Sequence, residues 1–234
     1  MLCVSSRKDY VAGMTETAPK PKMEIRIIPV TPLQQNTSLI WSTETMEGVF
    51  VDPGGEIDKL MGAAEHFGVK IVAVWLTHGH LDHAGAATAV RERTGCPIIG
   101  PHEDDQWLLD EIEAQGAKYG IADGRNVKPD RYLHDGDELD LAGNAFGVVH
   151  TPGHTPGHVV IYSKEGGLAF VGDVLFRGSI GRTDFPRGNH QQLIESITQK
   201  LWPLGNLTFI PGHGPASTFE QERKDNPFVA DHMV

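Results

Sequence analysis

From Met23 onward the apolar positions change period several times. Glu24-Ile25-Arg26-Ile27-Ile28 alternates, Thr37 to Trp41 follows a polar turn, and Gly48-Val49-Phe50-Val51 runs into Asp52-Pro53-Gly54-Gly55. Period two broken by turn residues predicts a strand meander ending in a tight turn. Leu60, Met61, Ala64 and Phe67 recur at helical spacing and predict a helix closed near Gly68. Ile71-Val72-Ala73-Val74-Trp75-Leu76 is apolar throughout and rich in β-branched residues, the pattern of a strand buried on both faces. Ala84 to Arg93 then predicts a helix, Pro97-Ile98-Ile99 a short strand and Asp105 to Ala114 another helix. Gln115 to Lys128, with Gly116, Gly120 and Gly124 and little pattern, predicts a surface loop able to roof a site.

Period two returns in the second half. Glu138-Leu139-Asp140-Leu141, Phe146 to Val149, Val159 to Tyr162 and Leu168 to Val171 predict strands of a second sheet. Leu193, Ile194, Ile197 and Leu201 mark one face of a helix from about Asn189 to Leu201. Leu207-Thr208-Phe209-Ile210 adds a strand, and Thr218 to Asp225 a polar helix. Two sheets face to face with helices on both outer sides is the arrangement that buries every apolar face in this α/β chain. Both halves place apolar strands before Asp or His turns, as a two-fold internal repeat would. Residues 1–22 show no apolar period and predict a disordered extension, with one folded domain over 23–234.

Composition narrows the function. The 234 residues carry a formal net charge of -11, which argues against a nucleic-acid partner. Only two cysteines occur, Cys3 in a polar stretch and Cys96 in an apolar one, so no disulfide framework is implied and a cytoplasmic, reducing setting is expected. No apolar run approaches the roughly 20 residues of a membrane-spanning helix, so no membrane role is expected. Nothing in the sequence sets the oligomeric state.

The candidate chemistry begins where the apolar run 71–76 ends, in Thr77-His78-Gly79-His80-Leu81-Asp82-His83. The strand delivers four potential ligands, His78, His80, Asp82 and His83, to its own end. Imidazole and carboxylate suit Zn²⁺, Fe²⁺ or Mn²⁺, and the tight spacing lets one loop serve two ions if it curls over them. Further apolar runs end in the same kind of residue: Val148-Val149 before His150-Thr151-Pro152-Gly153-His154, Phe170-Val171 before Gly172-Asp173, Phe209-Ile210 before Pro211-Gly212-His213, and Phe50-Val51 before Asp52. If the strand ends open on one rim, these side chains converge there. His66, His102, His134, His150, His190 and His232 have no matched partners and are expected to be surface or capping residues, His150 supporting its neighbouring loop. Trp75 is expected in the core, as is Trp107, although Trp107 has an alternative place lining the pocket.

His-x-His-x-Asp-His followed downstream by His, Asp and His resembles the metallo-β-lactamase superfamily. More narrowly, Thr-His-Gly-His-Leu-Asp-His, Thr-Pro-Gly-His-Thr-Pro-Gly-His, Gly-Asp-Val-Leu-Phe and Pro-Gly-His-Gly-Pro resemble the glyoxalase II-like, or hydroxyacylglutathione, hydrolases. The resemblance implies a four-layer αββα sandwich with two divalent metal ions, zinc first and iron or manganese as alternatives. It implies one ion on His78, His80 and His154, the other on Asp82, His83 and His213, and Asp173 shared. It also suggests that Asp52 and His158 orient the ligands, a task with a physical basis because metal-bound histidines donate their other N–H to a carboxylate or carbonyl. Two departures matter. Asp173 stands where three-histidine, cysteine-containing β-lactamases have a Cys, which disfavours lactam hydrolysis. The chain also runs only about twenty residues past His213, too few for the glutathione-contacting helical domain of a full-length glyoxalase II.

Two cations about 3.5–4 Å apart can hold a bridging hydroxide near neutral pH, so a nucleophile exists without a side-chain base. A thiolate whose conjugate acid has a pKa of about 8.5 leaves without a strong acid, which makes a small-molecule thioester the natural substrate. Asp82 and Asp173 are the carboxylates expected closest to that chemistry. Arg177 and Arg182, with Arg187, form a basic stretch opposed only by Asp184; Arg182, beside Gly181, is the first candidate to pair with an anionic acyl-thiol. The superfamily resemblance also implies two alternative reactions, a lactonase on the same metals and a persulfide dioxygenase that would use one iron on His78, His154 and Asp173.

Overall fold

The protein, a computed structural model, is described over residues 22–119, 121 and 123–233. The expected extension 1–22 therefore lies, apart from Lys22, outside the described residues.

The first sheet is built in the order β1 (Met23–Val30), β2 (Gln35–Ser42), β3 (Glu47–Val51), β4 (Lys70–Trp75) and β5 (Ile98–Ile99). The second runs β13 (Ser217–Thr218), β12 (Thr208–Pro211), β9 (Leu168–Gly172), β8 (Val159–Ser163), β7 (Asn144–His150) and β6 (Glu138–Leu141). β10 (Leu175–Phe176) and β11 (Ser179–Ile180) form a separate hairpin that the sequence pattern did not predict. Helices α1 (Ile57–Phe67), α2 (Leu81–Ala84), α3 (Ala87–Thr94), α4 (Gln106–Leu109) and α5 (Ile112–Tyr119) go with the first half, and α6 (His190–Glu195) and α7 (Phe219–Asp225) with the second. A π-helical turn, Ser196–Leu201, continues α6.

Strand periodicity sorts the apolar side chains into three packed layers. Val49, Val51, Ala73 and Trp75 of the first sheet meet Phe146, Val148, Val159, Ile161, Phe170 and Ile210 of the second. The Trp75 and Phe146 rings cross edge-on, 5.1 Å apart, in the middle of that layer. The alternate residues Phe50 and Val74, and Ile71 beyond the register shift between β3 and β4, face outward against Leu60, Ala64 and Val90 of the helices. On the far side Val160, Val171 and Phe209 cover Leu193, Ile197, Leu201 and Phe219. Because both faces of the central strands are covered, their sequences read as unbroken apolar runs. The result is the expected αββα sandwich.

Three expectations need correction. The helix over 84–93 is split into α2 and α3 at Gly85, where an added Cβ would lie 2.5 Å from the Gly54 carbonyl oxygen. Asp82 and His83 thus belong to a short helix and not to a loop. The helix over 105–114 is likewise broken between α4 and α5. The 115–128 segment is no free loop: α5 extends to Tyr119, and Ile121 and Val127 are buried in the first helical layer. Among the described residues no helix is long and apolar enough to cross a membrane.

Candidate metal centre

β3 and β4 run parallel, β9 and β12 run parallel, and β7 reaches the same end through two antiparallel steps. The residues after these strands therefore open on one rim. Asp52 follows β3, His78 and His80 follow β4, His154 follows β7, and Asp173 and His213 follow β9 and β12. Two glycines make the approach possible. A Cβ on Gly212 would collide with Asp173 and His83, and Gly172 adopts φ +48° with Thr77 and His158 against it.

Two groups of donor atoms result. His78 Nε2 and His154 Nε2 each lie 3.0 Å from His80 Nδ1. The His154 Nδ1–H donates to the Arg182 carbonyl at 2.8 Å, leaving Nε2 as a lone pair aimed at the group. In the second group His213 Nε2 is 3.1 Å and His83 Nε2 3.9 Å from Asp82 Oδ2. Asp173 stands between them, with Oδ1 3.4 Å from His83 Nε2 and Oδ2 3.7 Å from both His154 Nε2 and His213 Nε2.

The donor set fits divalent cations. His83 Nε2 and Asp173 Oδ1 are buried and have no hydrogen-bond partner, a costly pairing unless a cation lies between them. Burial, reinforced by His83 and the neighbouring imidazoles, pushes the His78 pKa well down. Burial and His154 bring His80 down to about 3, and burial lowers His154 too. These three rings are neutral, as ligation requires. Burial works against charge on His83, but Asp173 and Asp82 overcome it and raise its pKa well above the usual value. The same attraction, against burial, holds the Asp173 carboxyl far below the carboxylate range. The carboxylates on this side thus favour a positive charge at His83 Nε2, whether proton or metal.

Supporting contacts fix the ring orientations. Asp52 accepts from the Thr77 N–H at 2.7 Å and the Thr77 hydroxyl at 2.6 Å, and its Oδ2 lies 2.9 Å from His83 Nδ1. His158 accepts the Asp173 N–H at 3.1 Å and stacks on His78 with ring centres 4.7 Å apart. The His213 turn is tied to the first sheet by the Asn36 N–H, which donates to the Gly212 carbonyl at 2.7 Å.

One buried carboxylate escaped sequence reasoning. Asp105 accepts from the Gly79 N–H at 2.9 Å, the Gly157 N–H at 2.7 Å and the Thr155 hydroxyl at 2.7 Å. It thereby joins the His78-Gly79-His80 segment to the loop that carries His154. Burial pushes its pKa up to about 6. The basic stretch also differs from expectation. Arg182 is engaged by Asp184 through two bonds of 2.7 and 2.6 Å and lies 4.1 Å over the Phe185 ring. Arg177 is exposed, and Arg187 sits 4.6 Å over Trp107, which is half-buried. Phe185, whose ring centre is 5.2 Å from that of His80, is an apolar side chain beside the rim, as is Phe176 at 6.4 Å from His213.

A family profile described as the metallo-beta-lactamase superfamily matches residues 30–213. The chain belongs to that superfamily. Among its relatives, the Haemophilus influenzae protein named hydroxyacylglutathione hydrolase GloC is 44% identical, over 88% of this chain and 98% of its own. Of the superfamily's solved structures, BLEG-1, described as a B3 metallo-beta-lactamase, superposes with a TM-score of 0.81 at 35% identity, covering 88% of this chain and 99% of that one. TTHA1623 in a di-iron-bound form gives 0.78 at 36% identity, over 87% and 100%. The superfamily membership and the His/Asp cluster together support a metal-dependent hydrolase.

Proposed function

We propose that the chain hydrolyses a thioester of the S-hydroxyacylglutathione type at a centre holding two divalent metal ions. The observation that carries this reading is Asp173, whose oxygens face His83 on one side and His154 and His213 on the other. His78, His80 and His154 would hold one cation, and Asp82, His83 and His213 the other, with Asp173 contributing to both. When bound, such cations polarise a carbonyl and turn water into a nucleophile near neutral pH. Asp52 keeps the His83 ring turned so that Nε2 faces inward, and the Arg182 carbonyl does the same for His154. His158 holds the Asp173 backbone. Phe185 offers an apolar wall to the acyl group, and a thiolate departs without a proton from any side chain.

The relative named hydroxyacylglutathione hydrolase supports the substrate class. Zinc remains the first expectation for the metal, and the di-iron form of a neighbour makes iron the next. Cys96 is free and buried, consistent with a reducing, cytoplasmic setting. The likeness to a structure described as a B3 metallo-beta-lactamase supplies lactam hydrolysis as a second reading, and Asp173 in place of a cysteine weighs against it.

The test is metal analysis of the purified protein coupled to three assays: thiol release from S-lactoylglutathione, opening of a chromogenic β-lactam, and oxygen uptake with glutathione persulfide. Thiol release with two metals per chain, abolished by chelation, is expected. β-Lactam turnover exceeding thiol release would install the second reading. One iron per chain with oxygen uptake and no thiol release would replace both with the dioxygenase.

A further inference from the structure

We infer that a second, peripheral site for a divalent transition-metal ion is formed by His102, Glu103 and His134, outside the catalytic centre. His102, His134 and His150, expected as surface or capping residues, are brought together by the fold, with His102 capping the turn at Glu103 and His150 bonded to its neighbouring loop. His102 follows the β5 strand, His134 precedes β6 and His150 ends β7. The ring centres of His102 and His134 lie 5.1 Å apart, and His150 stacks on His102 at 4.4 Å with the planes 10° from parallel.

The protonation pattern is what points to a cation. His102 Nδ1 accepts the Asp104 N–H at 3.2 Å, so it carries a lone pair and no proton. Glu103 Oε2 lies 3.6 Å from that same nitrogen. An imidazole lone pair and a carboxylate oxygen thus face each other, with the Asp104 N–H as the donor at the nitrogen. His134 Nε2 approaches Glu103 Oε2 to 2.9 Å from the other side. Metal–ligand bonds of about 2.0–2.2 Å place neighbouring donors roughly 3.4 Å apart in a tetrahedral site, close to these separations. A cation there takes over the His102 lone pair from the Asp104 N–H, which sits on an exposed turn where water can satisfy it.

The surroundings have the form that metal sites use. His134 Nδ1 lies 3.8 Å from Asp137 Oδ2, which can receive its N–H once Nε2 is committed to a metal. The His150 Nε2–H donates to the Pro156 carbonyl at 2.8 Å, which fixes that ring and, through the stack, the plane of His102. Mixed imidazole and carboxylate donors select Zn²⁺, Ni²⁺ or Cu²⁺ over Mg²⁺ and Ca²⁺, which favour all-oxygen sets. Because His134 and Glu103 are about half-exposed, the ion would exchange with solvent and bind more weakly than one in the rim cluster.

The experiment uses untagged holoenzyme whose catalytic metal content has been measured. Zn²⁺ is titrated into it calorimetrically, and Co²⁺ is followed by its visible spectrum. One equivalent beyond the catalytic content is expected in the wild type. It should weaken by more than roughly tenfold in the double variant Glu103→Gln/His134→Ala and in His102→Asn, which keeps a short polar cap but loses the imidazole. Absence of the extra equivalent in the wild type, or its undiminished persistence in the double variant, overturns the proposal. So does its loss in His83→Ala with retention in the double variant, since the event would then belong to the catalytic centre.

Discussion

Two groups of histidines lie near Asp105, and they differ in what their remaining nitrogens do. In the rim cluster the far nitrogen of each well-placed ring is tied: His83 Nδ1 to Asp52, His154 Nδ1 to the Arg182 carbonyl, His213 Nδ1 to the Leu33 carbonyl at 3.2 Å. The rings arrive buried and pre-oriented, and for His78, His80 and His154 burial has already removed the proton that a metal would have to displace. In the outer cluster only His150 is fixed in this way, while His134 and Glu103 stand about half in solvent. Such side chains must be ordered at the moment of binding, at a cost of up to about 2 kcal/mol each for the most flexible. Similar donors therefore make a preorganised centre in one place and a looser, exchangeable one in the other.

The sharpest way to break this comparison is to remove the carboxylate that faces both halves of the rim. Asp173→Ala should lose metal from the purified protein and cut turnover by more than the roughly 100-fold upper range seen when only an orienting partner is lost. Unchanged metal content would show that the rim is not organised around Asp173. Asp52→Ala tests the orientation of His83 and of the Thr77 turn that leads into His78. It keeps the ligand side chains but frees His83 Nδ1 and the Thr77 N–H and hydroxyl, and should weaken metal retention by about 10–100-fold in competition with a chelator.

Much of the rim was legible in the chain because its chemistry is local. His78, His80, Asp82 and His83 are nearly consecutive, and each distant member is announced by an apolar strand running into a turn. The sandwich was legible for a related reason: each central strand is apolar on both faces, and only two covered sheets can satisfy that. What stayed hidden depends on contacts between segments far apart in sequence. Asp105 looked like the start of a helix, yet its bonds go to Gly79, Thr155 and Gly157. The break at Gly85 is set by the Gly54 backbone, which no helical period records. The outer histidines come from three separate segments with no shared motif, and the pairing of Arg182 with Asp184 could not be told from a free basic loop.

Asp105 also connects the two clusters, and its titration can be read. Its folded pKa of about 6 lies above the ordinary value of 3.8, so between those limits the folded protein holds a proton that the unfolded chain has released. This group's contribution to stability is therefore greatest at low pH and declines as pH rises through that window, by up to about 3 kcal/mol. Asp82 and Asp173, held low by His83, act in the opposite direction at more acidic pH. The difference in unfolding free energy between wild type and Asp105→Asn, measured from pH 4 to 7, isolates the effect. A pH-independent difference would mean that Asp105 is already ionised throughout. Because Asn cannot accept all three bonds, the variant should also lower turnover, by less than Asp52→Ala does.

A smaller effect is expected in the arginine stretch. Arg182 spends its guanidinium on Asp184 and Phe185, so Arg182→Ala should raise KM for an anionic thioester only a few-fold and leave a neutral one unchanged. Equal changes for both substrates would mean that the residue only shapes the loop.

The smallest effect separates the two histidine groups most cleanly. His134 is more than half exposed, at 54% of its side chain, whereas His83 is fully buried. Replacing His134 by Ala removes an exposed contact to Glu103 and an edge contact with the His102 ring but no buried packing, so stability should stay within about 0.5 kcal/mol of wild type in denaturant titrations. Thioester hydrolysis should be unaltered, while the additional equivalent of zinc weakens. The same substitution at His83 strips a buried ring from between Asp52 and Asp173 and leaves their charges facing each other without a cation. If His134→Ala instead reduced hydrolysis as His83→Ala does, the outer cluster would have to act on the rim through Asp105, and the two groups would form a single linked centre.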